Sequence, residues 1–318
     1  MQEIKNKYER NIIKLGNSKA ITFPQEWTNK AKLEEKSVVS LYPIDKNTLI
    51  VRTRDMEDVK VVFELDSKEW PEKLIKQAII SAFKLNTDEV LIKYDNENQN
   101  SLYKLLIDLR REIIGFDFKD ISNNNQYSIK FLLDSSKTNF LDVLLDLANV
   151  FHTIISDFIS GVSNKNKDLL RDEIDRKYSL GKRILITGLS NYPLSKQQSP
   201  IIRFLGNRVV LLYIREFINQ VLNSPIPDIS IAGKYLALLG SIPELLIEFI
   251  RFYHEINLAK ISRFHEQLSE LQSKLDAIED TVDQKCHLGN LIQYYLNSFI
   301  NFFDIAITRL VEAQIGIT

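Results

Sequence analysis

The sequence predicts a mainly α protein whose N-terminal part carries two small β-containing segments, on three observations. Glycine is scarce, 10 residues in 318, and half the chain lies in long stretches without Gly or Pro, which favours long helices over a β-sandwich. From about residue 138 onward, apolar residues recur at helical spacing. Before that point, short alternating runs are separated by turn-forming residues, which is the pattern of strands. A hydrophobic content of 44% and a charged content of 26% fit an ordinary folded chain and exclude wholesale disorder. At this length two or three domains are expected.

Residues 1–54 read as short strands around one short helix. Arg10–Leu15 is a strand leading to the turn signal Gly16-Asn17-Ser18, and Ala20–Phe23 resumes as a strand. Pro24 stands where a helix begins, with Gln25, Glu26 and Trp27 as its first turn. Val38–Tyr42 and Thr48–Arg52 form a hairpin across Asp45-Lys46-Asn47. Strands this short bury little surface, so a unit of this size is marginal as a monomer.

Residues 55–137 alternate in type and predict a small α/β layer. Strands are expected at Val61–Glu64, Glu89–Tyr94 and Tyr127–Leu133, and helices at Trp70–Phe83 and Ser101–Ile114. The first of these helices places Ile75, Ala78, Ile79 and Ala82 on one face, and Asn123–Asn125 reads as a hairpin end.

Residues 138–318 read as helix throughout. Leu144, Leu147, Ala148, Phe151, Ile155 and Phe158 form one apolar stripe, opposite Asp142, Asp146, Asn149, Thr153 and Asp157. The last helix repeats the scheme with Leu288, Leu291, Ile292, Tyr295, Phe299, Phe302, Phe303, Ala306 and Leu310. Ser262–Val282 carries Leu268, Leu271, Leu275 and Ile278 on one face, as a bundle helix does. Breaks at Gly188–Pro200 and Ser224–Asp228 are short, which predicts an antiparallel bundle.

The net charge of −1 offers nucleic acid or an anionic membrane no bulk attraction, so any basic surface is local. A single cysteine, Cys286, cannot form an internal disulfide, and the polar start MQEIKNKYERN does not read as a signal peptide. The apolar runs Leu141–Val162 and Arg208–Leu222 contain Asp142, Asp146, Asp157, Arg215 and Glu216, too many charges for a spanning helix. A cytoplasmic protein without membrane insertion is therefore expected. Neither GxGxxG, GxxxxGK[ST] nor GxSxG occurs. His254 and His265, three helical turns apart, can share a helix face, but no HExxH spacing or cysteine pair accompanies them. The chain is not expected to be an enzyme or to carry a cofactor.

The string Glu9-Arg-Asn-Ile-Ile-Lys-Leu-Gly-Asn-Ser-Lys-Ala-Ile-Thr-Phe-Pro24 resembles the SpoVT/AbrB family of swapped-hairpin DNA-binding domains, over roughly residues 8–52. The resemblance implies an N-terminal swapped-hairpin β-barrel, closed by two chains that exchange hairpins, and a basic strand face on double-stranded DNA. Lys7, Arg10, Lys14 and Lys19 stand against Glu9 between residues 7 and 22, a local excess that a homodimer through residues 1–54 presents twice. Asn17 and Ser18 are candidate donors to phosphate or base edges, and Arg10 is suited to a bidentate contact. The family's usual Gly-Asp turn before its third strand is replaced by Leu33-Glu34-Glu35-Lys36-Ser37, which predicts a different turn geometry.

Residues 138–318 resemble the PhoU family, antiparallel helical bundles of two three-helix repeats associated with control of phosphate uptake. Leu170-Arg-Asp-Glu-Ile-Asp-Arg-Lys-Tyr-Ser-Leu180 is similar to that family's first signature. The segments Ala78–Phe83 and Arg110–Gly115 resemble archaeal members that carry an AbrB-type head. PhoU proteins often hold metal on carboxylates spaced four apart. At the four matching places this chain has Arg171 and Asp175, Arg215 and Asn219, His265 and Ser269, and Ile300 and Asp304, so two acids remain of eight. Guanidinium groups oppose a cation there, and no metal site is expected; Asp168 and Asp172 form a spare pair. The resemblances together imply a DNA-binding transcriptional regulator of phosphate uptake with a sensing or partner-binding body. The alternative is an adaptor contacting a phosphate-transport or signalling protein, with the head only dimerising.

Overall fold

Turn chemistry decides where the first strands begin and end. The structure, a computed structural model, describes residues 8–45, 48–53, 60–134, 137–162, 167–190, 201–226, 229–279 and 287–315. It divides into two units, Met1–Lys60 and Val61–Thr318.

In the first unit β1 (Ile13–Leu15) pairs antiparallel with β2 (Ser18–Ala20), with Leu15 opposite Ser18. The connection is therefore two residues, Gly16-Asn17, and Gly16 carries the positive φ of 61° that a type II′ hairpin asks of its first central residue. Both strands are shorter than the sequence predicts. Ser18 belongs to the ladder rather than the turn, and the chain leaves the ladder before Pro24, which caps α1 (Gln25–Lys30).

That helix ends with a left-handed Lys32 (φ 53°), where Leu33 N–H donates to Thr28 O and Lys32 N–H to Asn29 O. A turn follows in which Ser37 N–H donates to Glu34 O and Lys36 sits at φ 73°. Lys36 here occupies the left-handed region that glycine favours. β3 (Ser40–Asp45) pairs antiparallel with β4 (Thr48–Arg52), and Lys46 and Asn47 of the expected turn lie outside the described residues. Each hairpin is its own two-stranded sheet among the described residues, so one chain closes no barrel.

The α/β layer runs β5 (Val62–Asp66), α2 (Glu72–Lys84), β6 (Glu89–Lys93), α3 (Gln99–Glu112), β7 (Phe116–Ile121) and β8 (Gln126–Phe131). The sheet order is β5-β6-β8-β7, parallel between β5 and β6 and antiparallel elsewhere. α2 starts at Glu72 rather than Trp70, because a residue preceding proline avoids the helical region and Pro71 takes the cap. β7 is an addition to the expected elements, made by the alternation of Phe116 and Phe118 with Asp117 and Lys119. Asn123–Asn125 does close a hairpin, with Asn125 left-handed at φ 49°. Gly115 (φ 71°) has Leu133 so close that a Cβ would meet its backbone nitrogen at 3.0 Å. Ile75, Ile79, Phe83, Val90, Ile92, Leu106 and Ile129 form this layer's own core.

Six helices follow among the described residues: α4 (Phe140–Ile159), α5 (Lys167–Ser190), α6 (Ile201–Asn223), α7 (Ile229–Tyr253), α8 (Leu258–Glu279) and α9 (His287–Ile315). The stripe expected on α4 is buried throughout. α5 continues through Gly188 to Ser190, into the expected break, and the rest of that break lies outside the described residues. Phe217 of α6 is the hub of the core, its ring 5.8 Å from Phe151, 4.8 Å from Tyr295 and 5.4 Å from Phe299. The Tyr295 hydroxyl donates to Phe217 O at 2.9 Å, so a buried tyrosine is satisfied by the neighbouring helix's backbone.

One buried cation ties the α/β layer to the bundle. α2 ends in a left-handed Asn86 (φ 60°), with Thr87 N–H donating to Ala82 O and Asn86 N–H to Phe83 O. Arg183 of α5, 3% exposed, donates from Nη1 to Phe83 O at 2.7 Å and to Thr87 O at 3.4 Å. Its guanidinium lies 5.0 Å from the Phe83 ring and 5.4 Å from that of Phe131.

Arg183→Ala is expected to cost roughly 3 kcal/mol, a charged hydrogen bond plus the carbonyls left behind. A lowered denaturant midpoint reads this, and an unchanged midpoint would show that the guanidinium does not hold the layer. In the head, Lys36→Gly is expected to stabilise by about 0.5–1 kcal/mol, the left-handed cost of lysine less the entropy of glycine. Unfolding followed by Trp27 fluorescence checks the sign.

Candidate nucleic-acid interface

The head is built so that its cations face one another. In an antiparallel pair the side chains of directly opposed residues lie on one face, and the β1–β2 register sets Lys14 against Lys19. Both are exposed, and neither has an ion-pair partner among the described residues. Like charges directly opposed across strands destabilise a hairpin, so the arrangement costs stability in the absence of an anion. Asn17 occupies the turn and Ser18 the first position of β2, both exposed. Arg10, also exposed, precedes β1; its Nη1 donates to Glu9 O at 2.9 Å and its guanidinium lies 5.9 Å from the Tyr8 ring. The Tyr8 hydroxyl donates to Glu26 Oε2 of α1 at 2.6 Å, which moors the segment that carries Arg10. Lys7 lies outside the described residues. Lys14, Asn17, Ser18 and Lys19 are thus brought together at one hairpin end, with Arg10 before it.

Charge is partitioned along the chain in a way the total of −1 hides. Residues 1–54 contain eleven Lys and Arg against six Asp and Glu, a net +5, and residues 55–318 contain 30 against 36, a net −6. The head's apolar residues are also unusual. None of its described residues is buried, and Ile12 (69% exposed), Leu15 (69%), Ile21 (56%), Val38 (84%) and Leu41 (55%) face outward.

In the body the four places matched to metal-binding carboxylates have other uses. Arg215 donates from Nε to Asp175 Oδ1 at 2.8 Å, with Nη2 2.7 Å away from the same oxygen, so the first place's one acid is neutralised by the arginine of the second. Arg171 donates to Asn223 Oδ1 at 2.7 Å and to Asp168 Oδ1 at 3.3 Å, which engages one of the spare pair. The His265 ring lies 5.2 Å from that of Phe303, tilted by 46°, and Asp304 is exposed. Among the described residues no three His, Cys, Asp or Glu side chains converge to hold a metal ion. His254 and His265 share no helix, because α7 stops at Tyr253 and His254 lies in the turn before α8. Among the described residues no helix is long and apolar enough to cross a membrane. The Lys14–Lys19 opposition follows from sequence only if the turn is taken as the two residues Gly16-Asn17. The Asp175–Arg215 pair, 40 residues apart on two helices, leaves no local signal.

Lys14→Gln or Lys19→Gln is expected to stabilise the head by about 0.2–1 kcal/mol, since either removes the opposed like charge. Denaturant unfolding of the head in low salt measures it, and a destabilised variant would mean that the two lysines do not repel. No protein-family model, curated protein or solved structure matches this chain.

Proposed function

We propose that the protein is a homodimeric, DNA-binding transcriptional regulator. The observation that carries this reading is the opposed Lys14–Lys19 pair on an exposed hairpin, a repulsion that a phosphate backbone would relieve. The exposed apolar residues of the head supply the reason for pairing. Burying them against a second copy contributes about 25 cal/mol per Å², and exchange of hairpins would close the two separate sheets into the dimeric barrel that the SpoVT/AbrB resemblance implies. A dimer doubles the cationic footprint, while the net negative remainder of the chain keeps non-specific contact with DNA down.

The body supports the PhoU reading by its packing. α4, α5 and α6 touch one another, as do α7, α8 and α9, and the trios meet through α4 on α7 and α6 on α9. Two copies of one three-helix repeat would pack this way. On that resemblance the pathway is phosphate uptake, and the body senses status or contacts a transport or signalling protein.

Fluorescence anisotropy with duplex DNA over a salt series tests the reading. The affinity is expected to fall steeply with salt. Lys14→Ala with Lys19→Ala is expected to flatten the log–log slope by about 0.9 for each phosphate no longer neutralised, roughly 3–4 for four lysines in a dimer. Leu15→Asp with Leu41→Asp is expected to give a monomer in sedimentation, without most of the DNA affinity. Absence of salt-dependent binding, or a slope untouched by the lysine changes, would leave the adaptor reading.

A further inference from the structure

The sheet of the α/β layer has a free edge at β7, since among the described residues no strand pairs beyond it in the order β5-β6-β8-β7. The ladder to β8 is regular from Phe116 opposite Phe131 to Ile121 opposite Gln126. Neither a bulge nor a proline interrupts it, although both are common guards of an edge. Leu132 N–H donates to Gly115 O at 2.8 Å, which makes these two a hydrogen-bonded pair and fixes the alternation along the ladder. Asp117, Lys119 and Ile121 therefore bond to β8, and the N–H and C=O groups of Phe116, Phe118 and Asp120 point to the free edge. Asp117 and Lys119 share the sheet face away from α3, and neither has an ion-pair partner among the described residues. Phe118 stands on the other face, where its ring lies 5.8 Å from that of Tyr103 of α3, itself 50% exposed.

Charged residues on an edge ordinarily keep foreign strands away, and two like charges would do so as well as an acid and a base. The order Asp117-Phe118-Lys119 has a further property: turned end for end about Phe118, it meets itself with opposite charges. We propose that β7 pairs antiparallel with β7 of a second copy across a two-fold axis at Phe118, joining two sheets of four strands into one of eight. In this register the outward groups of Phe118 meet those of the partner's Phe118. Those of Phe116 meet those of the partner's Asp120, for roughly six hydrogen bonds across the axis. Asp117 lies opposite the partner's Lys119, and Lys119 opposite the partner's Asp117, at non-hydrogen-bonded positions where opposed side chains come closest. Neighbouring two-fold registers, centred on Asp117 or on Lys119, would oppose two aspartates or two lysines, so charge selects the one register. The two Phe118 rings meet beside the two Tyr103 rings, which covers an aromatic surface that a single chain leaves exposed. Asp120, opposite the partner's Phe116, already accepts from the Tyr94 hydroxyl at 2.7 Å. This contact goes beyond the homodimer proposed above, which joins chains through residues 1–54, because no head residue takes part in it.

The test uses full-length chains carrying Leu15→Asp and Leu41→Asp, so that the head contributes no pairing, and Cys286→Ser, so that no native thiol reacts. Sedimentation of this parent is expected to show monomer at low micromolar concentration and dimer from about 0.1 mM, as for a small interface. Asp117→Lys and Lys119→Asp each oppose like charges and are each expected to weaken the dimer about tenfold. The two changes together oppose unlike charges again and are expected to restore the parent's affinity, which excludes fold damage as the cause of the weakening. Oxidation of a mixture of Asp117→Cys and Lys119→Cys chains is expected to give a disulfide-linked dimer, since non-hydrogen-bonded partners lie about 4.5 Å apart at Cα. Either cysteine variant alone is expected to give little, because its two copies would lie about 8 Å apart. A parent still monomeric near millimolar concentration would assign the edge to a different strand and overturn the pairing. So would single charge reversals that associate like the parent, or one cysteine variant that cross-links by itself as fast as the mixture. Salt-dependent DNA binding is read on the chain with its head intact, so either proposal can fail while the other stands.

Discussion

Burying a guanidinium is costly unless its donors are met, and Arg183 spends its Nη1 where α2 ends and turns back toward β6. Its Nη1 donates to Phe83 O and Thr87 O, two carbonyls positioned by the left-handed Asn86 that stops the helix. Two aromatic rings, Phe83 and Phe131, cover its faces. The stopping of α2, the seating of β8 and the docking of both on α5 are therefore a single condition. It joins the α/β layer to the helical body, against whose core Ile114 and Leu133 of the layer also pack.

The head obeys a different constraint. With no described residue buried, it has little internal hydrophobic energy to offset the entropy of ordering. It also tolerates two strained features, a lysine at φ 73° where glycine would sit without cost and an opposed pair of lysines across β1 and β2. Strain of this kind persists where surrounding contacts or a ligand compensate. A second copy for the apolar surface and a polyanion for the lysines are the compensations that the proposed function supplies.

The body pairs charges between helices distant in sequence. Arg215 of α6 closes on Asp175 of α5. An acid and a base 40 positions apart leave no local signal, so this pair was not legible in the sequence.

Helix and strand content was legible from local physics. Apolar spacing on α4 and α9 identified the buried faces, because a helix offers one stripe to one core. The turn at Asn123–Asn125 and the start of α1 after Pro24 were readable from residue chemistry. β7 escaped notice because a six-residue strand between a helix and an asparagine loop gives a weak period, and its pairing with β8 is what defines it. Residue order was sufficient for most elements and for the basic composition of residues 1–54, since each depends on neighbours within a few residues. Folding was needed to set Lys14 opposite Lys19, to bring Arg183 onto the Phe83 carbonyl and to pair Arg215 with Asp175. Those facts depend on pairings between segments up to 100 positions apart, such as Phe83 and Arg183, which no local pattern encodes.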